Sequence, residues 1–288
     1  MLFLRGEKSV LQTVNVLTKP YQNNSILTSF ESLKISYNKL ITEIQPWVPH
    51  SKEINTEFIT DLRTIKKLME VFSTESLADD TFYDMEQSRQ SQSAGILGRT
   101  KNSILTLGER HPGFSWVFNL VMNSVFNVSS KIASGGTTSA AVGVLFIDPR
   151  SHYTDEDMYE LLVHELGHTL LFLHEWRFGL FNDVNRLTDP QTFALSAIRN
   201  QVRPFDKAIH SVLVAIEVLL LRERVLGHYK KRSLHPPTNE LIPMVNNSIK
   251  SISETDKREN MLTDFGKDLL AECRLIMENY NKGEVRGK

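Results

Sequence analysis

One uninterrupted segment, residues 155–176 (DEDMYELLVHELGHTLLFLHEW), limits the folds open to this chain more than any other stretch. Thr154 is a natural N-cap, and the three acids that follow it suit the first turn of a helix. Leu171 lies within TLLFLH, a run that strongly favours helix, so the helix is expected to continue through it. We therefore expect a single helix over these residues, carrying the sequence HELGH.

Helical spacing of apolar residues predicts further helices on both sides of this segment. They are expected at residues 26–44, 55–78, 238–252 and 257–280, with one more that opens at Pro204 and ends at Gly227. The polar, glycine-containing stretch 88–103 is expected to form a loop.

β-structure is expected near the middle of the chain. Residues 134–149 (SGGTTSAAVGVLFIDP) read as a turn, a short strand over residues 142–147 and a second turn. Residues 115–128 are rich in aromatic and β-branched side chains, and their pattern leaves strand and helix equally open.

Composition narrows the classes of function. Of the 288 residues, 41% are apolar and 23% are charged, which is close to the average composition of globular proteins. The formal net charge of −1 gives no reason to expect a nucleic acid or a membrane as partner. Cys273 is the one cysteine, so neither an internal disulfide nor a cysteine-based metal cluster is expected. The apolar start MLFL is too short for a signal-peptide core, and no run is long enough for a membrane span. We expect a cytoplasmic protein.

HELGH is a candidate metal-binding motif. His164 and His168 are four residues apart, so on a helix they project from one face about one turn apart, within reach of a single ion. Glu165 lies beside them and is the candidate catalytic residue, because a carboxylate there can polarise a water bound to the metal.

Three residues compete for the place of a third ligand. His174 lies ten residues after His164, but on a continuing helix it faces away from the histidine pair. Glu217 is a second candidate, although it lacks an acid four residues later, and it equally suits a partly buried acid paired with Arg222 or Arg224. His210 is preferred, because it lies in a very apolar helix downstream of a motif that needs one more ligand.

Together these features predict a mainly α fold of the α+β class: a helical domain with a small central β element and a metal site between the HExxH helix and a following helix. Residues 1–100 are expected to form an N-terminal helical region, 101–240 a metal-binding catalytic core and 241–288 the C-terminal helices. The three parts are expected to make one compact unit.

The order of motifs resembles a known family. GTTSAAVGVLFIDP is followed by LLVHELGH and then by RPFDKAIHSVLVAIEVL, an Arg-Pro element that opens a helix containing a histidine. This order resembles the 2-oxoglutarate-dependent HExxH-type peptide β-hydroxylases, which are associated with ribosomally made, modified peptides. The resemblance covers residues 134–228, about a third of the chain. It implies Fe(II) and 2-oxoglutarate as cofactors and a precursor peptide as substrate, and it leaves the oligomeric state open.

In such an oxygenase the distal carboxylate of 2-oxoglutarate is best held by a guanidinium. Arg203, seven residues before His210, is the first candidate, and Arg199 is the reserve. Glu165 would then orient a ligand or a water. The alternative is a zinc metallopeptidase, in which Glu165 is the general base. A third reading is a helical binding module without catalysis, in which the motif has no function.

Overall fold

The computed structural model describes residues 2–22, 29–73, 89–228 and 233–282. Within these ranges the protein is mainly helical with a small mixed sheet, which confirms the mainly α class, whereas the metal site expected between two helices stays a prediction. The helices are α1 (Leu2–Thr18, kinked at Gly6), α2 (Phe30–Ile44), α3 (Leu62–Ser73), α4 (Arg89–Arg110), α5 (Pro112–Val121), α6 (Asp155–Phe178), α7 (Phe205–Leu221), α8 (Thr238–Glu259) and α9 (Asp264–Asn281).

In the described part of the chain six short strands accompany the helices: β1 (Glu57–Ile59), β2 (Ser124–Asn127), β3 (Gly135–Gly136), β4 (Val144–Ile147), β5 (Ala194–Ser196) and β6 (Gln201–Arg203). The first four form a sheet in the order β1-β2-β4-β3, in which β1, β2 and β4 are parallel and β3 pairs with β4 in the antiparallel sense. Strands β5 and β6 form a separate antiparallel hairpin.

The chain divides into two compact units. The N-terminal unit comprises Leu2 and residues 4–173, and the C-terminal unit comprises Phe3 and the residues from 174 onward. The first two of the three expected parts end at residue 100, which lies inside α4, and at residue 240, which lies inside α8. The three-part division expected from the sequence stays a prediction.

The core of the N-terminal unit lies between the four-stranded sheet and α3. Phe72 of α3 packs edge-on against Phe126 of β2 and Phe146 of β4, with ring centroids 5.7 and 5.6 Å away. All three rings are fully buried. Burial of an aromatic side chain contributes roughly 1.5–3 kcal/mol, so this cluster is a large part of what holds α3 on the sheet.

Helix α6 begins as its sequence predicts. The Thr154 hydroxyl accepts a hydrogen bond from the Asp157 backbone N–H at 3.2 Å, and the Asp157 carboxylate accepts one from the Thr154 backbone N–H at 3.0 Å. This reciprocal cap satisfies two N–H groups that the helix itself leaves unpaired. The helix continues through Leu171 to Phe178 and ends before Gly179, whose φ of 68° suits glycine. The predicted helix and its cap are confirmed.

In the C-terminal unit, α7 is buried along almost its whole length, from Ala208 to Leu221. One turn of π-helix, Arg222–Leu226, continues it, and the chain leaves the helix at Gly227 with a φ of 83°. The predicted start at Pro204 and end at Gly227 are thus confirmed. The β5–β6 hairpin is attached to α7 by a hydrogen bond of 2.9 Å from the Ile198 backbone N–H to the Ser211 hydroxyl.

Several predicted elements need correction. Residues 55–78 do not form one helix, because β1 occupies residues 57–59 and α3 begins at Leu62; residues 74–78 lie outside the described residues. The break between the last two helices falls at residues 260–263, where Asn260 adopts a left-handed conformation with a φ of 50°, and not near residue 255.

The loop expected over residues 88–103 is also wrong: from Arg89 onward these residues belong to α4, and residue 88 lies outside the described residues. Leu97, Thr100, Ile104 and Leu107 are buried at helical spacing, so tertiary packing outweighs a polar, glycine-containing sequence. Residues 115–128, for which the sequence left helix and strand equally open, contain both: α5 ends at Val121, and β2 starts at Ser124.

The helix expected over residues 26–44 begins at Phe30, after Ser29 as its N-cap, and residues 26–28 lie outside the described residues. The strand expected over residues 142–147 is confirmed as β4. In the part of the chain that the structure describes, no helix combines the length and the apolar composition needed to cross a membrane.

Candidate metal centre

His164 and His168 of α6 are positioned to share one ion. Their ring centroids are 5.0 Å apart, and their planes make an angle of 66°. A metal ion about 2.1 Å from an imidazole nitrogen lies roughly 3.2 Å from the ring centre, so two imidazoles on one ion have centres about 4.5–5.2 Å apart. The observed separation fits two ligands of one metal ion.

The same two histidines interrupt the burial of α6. From Asp157 to His174 every residue is buried except His164 and His168, which are partly exposed. A helix that is buried on all sides belongs in a core, so the exposure of these two imidazoles alone sets them apart from the rest of this stretch.

Glu165 is held in a defined position beside this pair. Its side chain is almost fully buried, and its Oε1 lies 4.0 Å from Nε2 of His164. Oε2 accepts a hydrogen bond of 3.1 Å from the Thr137 hydroxyl. Burial raises the pKa of Glu165 to about 8, although the hydrogen bonds from the Thr137 side chain and backbone act in the opposite direction. Near neutral pH this carboxyl can therefore both accept and release a proton.

Two glycines in β3 leave space for its neighbours, Gly135 on the side of α6 and Gly136 on the side of β4. A Cβ at Gly136 would lie 2.4 Å from the Phe146 ring, and a Cβ at Gly135 would lie 3.1 Å from the Leu161 side chain and 3.6 Å from Glu165 Oε1. The sequence predicted this turn but did not identify Thr137 as a partner of Glu165. Its place directly after two glycines that precede a strand is the signal that could have found it.

His210 lies in the C-terminal unit, on α7, with 8% of its side chain exposed. Its Nε2 is 2.8 Å from Oε1 of Glu175, a residue in the last turns of α6. A carboxylate on one ring nitrogen fixes the orientation of an imidazole. The sequence analysis selected His210 but missed Glu175.

The two other candidates for a third ligand make contacts of their own. Glu217 is buried, and its Oε2 accepts a hydrogen bond of 2.9 Å from the Phe3 backbone N–H, while Arg224 donates to the Phe3 carbonyl at 2.6 Å. His174 is buried on the continuing helix, and its ring stacks against Phe265 at 6.1 Å. These contacts give both residues a structural role.

Arg203 and Arg199 form a positive cluster at the β5–β6 hairpin. Arg203 is partly buried, and its pKa is lowered first by burial and then by the nearby charge of Arg199. Among the described residues, neither guanidinium makes a hydrogen bond or an ion pair. Asp206, whose charge acts on Arg203 in the opposite direction, forms an ion pair with Lys207 at 3.1 Å. Two unpaired guanidiniums, one of them partly buried, are suited to bind an anion.

The structure brings together His164, His168 and Glu165 in one unit, and His210, Arg203 and Arg199 lie in the other. Within the described ranges, no group of three or more His, Cys, Asp or Glu residues is arranged to hold a metal ion. The third ligand therefore stays a prediction.

No protein-family model matches this sequence, and no curated protein is similar enough to it in sequence to count as a match.

Proposed function

We propose that this protein is an Fe(II)- and 2-oxoglutarate-dependent oxygenase that hydroxylates the β-carbon of a residue in a ribosomally synthesised peptide. The observation that carries this proposal is the pair of unpaired guanidiniums, Arg203 and Arg199, on the hairpin that is hydrogen-bonded to α7 at Ser211. A dicarboxylate cosubstrate needs such a cation for the carboxylate that does not bind the metal, whereas a peptidase has no need of it.

His164, His168 and His210 would hold the metal. Imidazoles suit iron, and a site with three protein ligands would leave the ion room for a cosubstrate and O₂. Fe(II) with these two co-reactants supplies the oxidation that replaces a C–H bond by C–OH.

The chain's own residues bind the cosubstrate and orient the groups around the metal. Arg203 holds the distal carboxylate of 2-oxoglutarate with two parallel hydrogen bonds, and Arg199 adds positive charge at the same hairpin. Glu165, fixed by Thr137, orients a water or a ligand next to His164. Because ribosomes release precursor peptides into the cytoplasm, the proposal places the reaction there, and fractionation of cells with an antibody to the chain would check that location.

The test is a visible spectrum of the protein without oxygen. Fe(II) and 2-oxoglutarate added to metal-free protein should produce a weak charge-transfer band that neither gives alone, and Arg203→Ala should abolish it. Arg203→Lys, which keeps the charge but not the two parallel hydrogen bonds, should retain only part of the band. Arg258→Ala removes an exposed arginine that is paired with Glu259 and serves as the matched control. A wild-type protein that binds Fe(II) but shows no band with 2-oxoglutarate would contradict the proposal.

A zinc metallopeptidase is the second candidate, favoured by the position of Glu165. A buried carboxyl 4.0 Å from a ligand histidine, with a pKa near 8, has the properties of a general base for a bound water. In that case the zinc-loaded protein should cleave unstructured peptides, and Glu165→Gln should abolish cleavage while it leaves zinc uptake unchanged. Cleavage at the wild-type rate by Glu165→Gln would exclude this candidate.

A further inference from the structure

The β5–β6 hairpin has one covered edge and one open edge. On the β5 side, the Leu195 backbone N–H donates to the Ser251 hydroxyl at 3.0 Å, and the Leu195 carbonyl accepts a hydrogen bond from the Ser248 hydroxyl. Both serines belong to α8, so this helix takes the place of a third strand beside β5. On the other side, the described part of the chain supplies no strand that pairs with β6.

The hydrogen bonds of β5 determine which backbone groups of β6 point outward. Leu195 is opposite Val202, and its own N–H and carbonyl are directed to α8. In an antiparallel ladder, opposite residues either exchange both backbone hydrogen bonds or exchange none. Leu195 and Val202 therefore exchange none, and the N–H and carbonyl of Val202 point away from β5. An extended chain beside β6 can bond to both groups.

The two faces of β6 differ in chemistry. Successive side chains of a strand point to opposite faces, so Val202 lies on one face and Arg203 on the other. Val202 is 68% exposed, and a branched apolar side chain suits contact with a neighbouring strand. Arg203 is partly buried, and its pKa is lowered by this burial and then by the nearby positive charge of Arg199. A strand that complements β6 is thus apolar on one face and acidic on the other.

We propose that the open edge of β6 binds the peptide substrate as a third strand, with an acidic side chain of the peptide beside Arg199. Main-chain hydrogen bonds to Val202 hold the peptide, and the positive charge selects an acidic one. This inference rests on the proposed function, in which a peptide is the substrate. There Arg203 holds 2-oxoglutarate, so Arg199 is the cation that remains for the peptide.

The first test changes the backbone of β6. The probe is a short fluorescein-labelled peptide of alternating valine and glutamate, and its anisotropy measures binding to metal-free protein. Val202→Pro removes the outward N–H at a position where an edge strand tolerates proline, and it should weaken binding by about tenfold. Val202→Thr keeps the N–H and the branched shape and should bind like the wild type. Equal binding by Val202→Pro and the wild type would overturn the inference.

The second test changes the charge beside the edge. Arg199→Glu should weaken binding of the same peptide by about tenfold at low salt, and the loss should shrink as salt is added. Lys267→Glu makes the same change in net charge at an exposed position of α9 and should bind like the wild type. A peptide of alternating valine and lysine should not bind. A thermal unfolding curve for each variant shows that it is folded.

Amide hydrogen exchange locates the bound peptide. The Val202 amide should exchange rapidly in the free protein and become protected when the valine–glutamate peptide is added. Protection of this amide in the free, monomeric protein would mean that the chain itself covers the edge. A dimer of the free protein that Val202→Pro dissociates would mean that the edge binds a second copy. Either result would overturn the inference.

These measurements need neither metal nor turnover, so they separate the inference from the proposed function. If the wild type does not bind the peptide, the inference is wrong, whereas the charge-transfer band with Fe(II) and 2-oxoglutarate still tests the oxygenase. If the peptide protects the Val202 amide but the band is absent, the proposed oxygenase fails while the peptide-binding edge is supported. Binding that is unchanged by 2-oxoglutarate supports separate places for the cosubstrate and the peptide.

Discussion

Helix α6 carries two glutamates, Glu165 and Glu175, in very different surroundings. Glu165 is almost fully buried and is hydrogen-bonded by a neutral hydroxyl, so its pKa rises to about 8. Glu175 is partly exposed, and its Oε1 lies 2.8 Å from Nε2 of His210. The comparison teaches that two carboxyls on one helix can differ in burial and in partner, and that the packing around each of them decides this difference.

The largest effect expected concerns the histidines beside Glu165. His164→Ala and His168→Ala each remove a proposed ligand and should weaken binding of Co(II), which stands in for Fe(II), by more than about 100-fold, beyond the loss caused by removing a group that only orients a ligand. Isothermal titration of metal-free protein measures this, with Glu175→Ala as a comparison at the other end of α6. If Glu175→Ala weakens binding more than His164→Ala, the HELGH pair does not hold the metal.

Glu165→Gln tests the protonation of the buried carboxyl. Its folded pKa of about 8 lies above the unfolded value of 4.5, so its contribution to stability is complete below pH 4.5 and is lost as the pH rises to about 8. The free energy of unfolding of the wild type minus that of Glu165→Gln should fall across this interval, by on the order of a few kcal/mol. Urea unfolding of metal-free protein at several pH values gives the difference. No pH dependence of that difference would mean that Glu165 is ionised throughout.

Thr137→Val keeps the shape of Thr137 and removes its hydroxyl, which leaves Glu165 without one of its donors. An unsatisfied buried polar group costs about 1–3 kcal/mol, so the variant should be destabilised by that amount at pH 7. Thr137→Ser, which keeps the hydroxyl, should lie closer to the wild type. Equal stability of both variants, measured by urea unfolding, would show that the contact with Thr137 contributes nothing.

Thr154→Ala gives the smallest effect and a reference for the others. It removes the N-cap of α6, far along the helix from both glutamates, and should cost about 1 kcal/mol. Thermal unfolding measures the loss, and a loss larger than that of Thr137→Val would weaken the comparison.

The sequence predicted α6 and α7 well because their signals are local. Thr154 caps one helix and Gly227 ends the other, and both roles depend on a few neighbouring residues. The sequence failed for α4, whose polar, glycine-containing start is helical because Leu97 and Leu107 pack in the core. The sequence also missed strand β1, because the apolar residues around Phe58 have helical spacing. The extended conformation of β1 depends on its pairing with β2, which is remote in the sequence.

The candidate site shows the same division. His164, Glu165 and His168 could be read from their spacing, since a helix fixes which face they share. Thr137 and Glu175 could not, because each contact joins residues that are 28 or 35 positions apart in the chain. Contacts of this kind depend on how elements pack, which a single sequence does not encode in any local pattern.

The parallel pairing of β1 with β2 also has a consequence for the synthesis of the chain on the ribosome. Glu57 pairs with Ser124, so β1 leaves the ribosome long before its partner has been made. At about 5–20 residues per second, synthesis of the intervening stretch takes roughly 3–13 s. For that time the apolar residues of β1 and α3 lack the sheet that buries them in the finished protein. Because exposed apolar surface favours aggregation, the nascent chain is prone to aggregate during this interval.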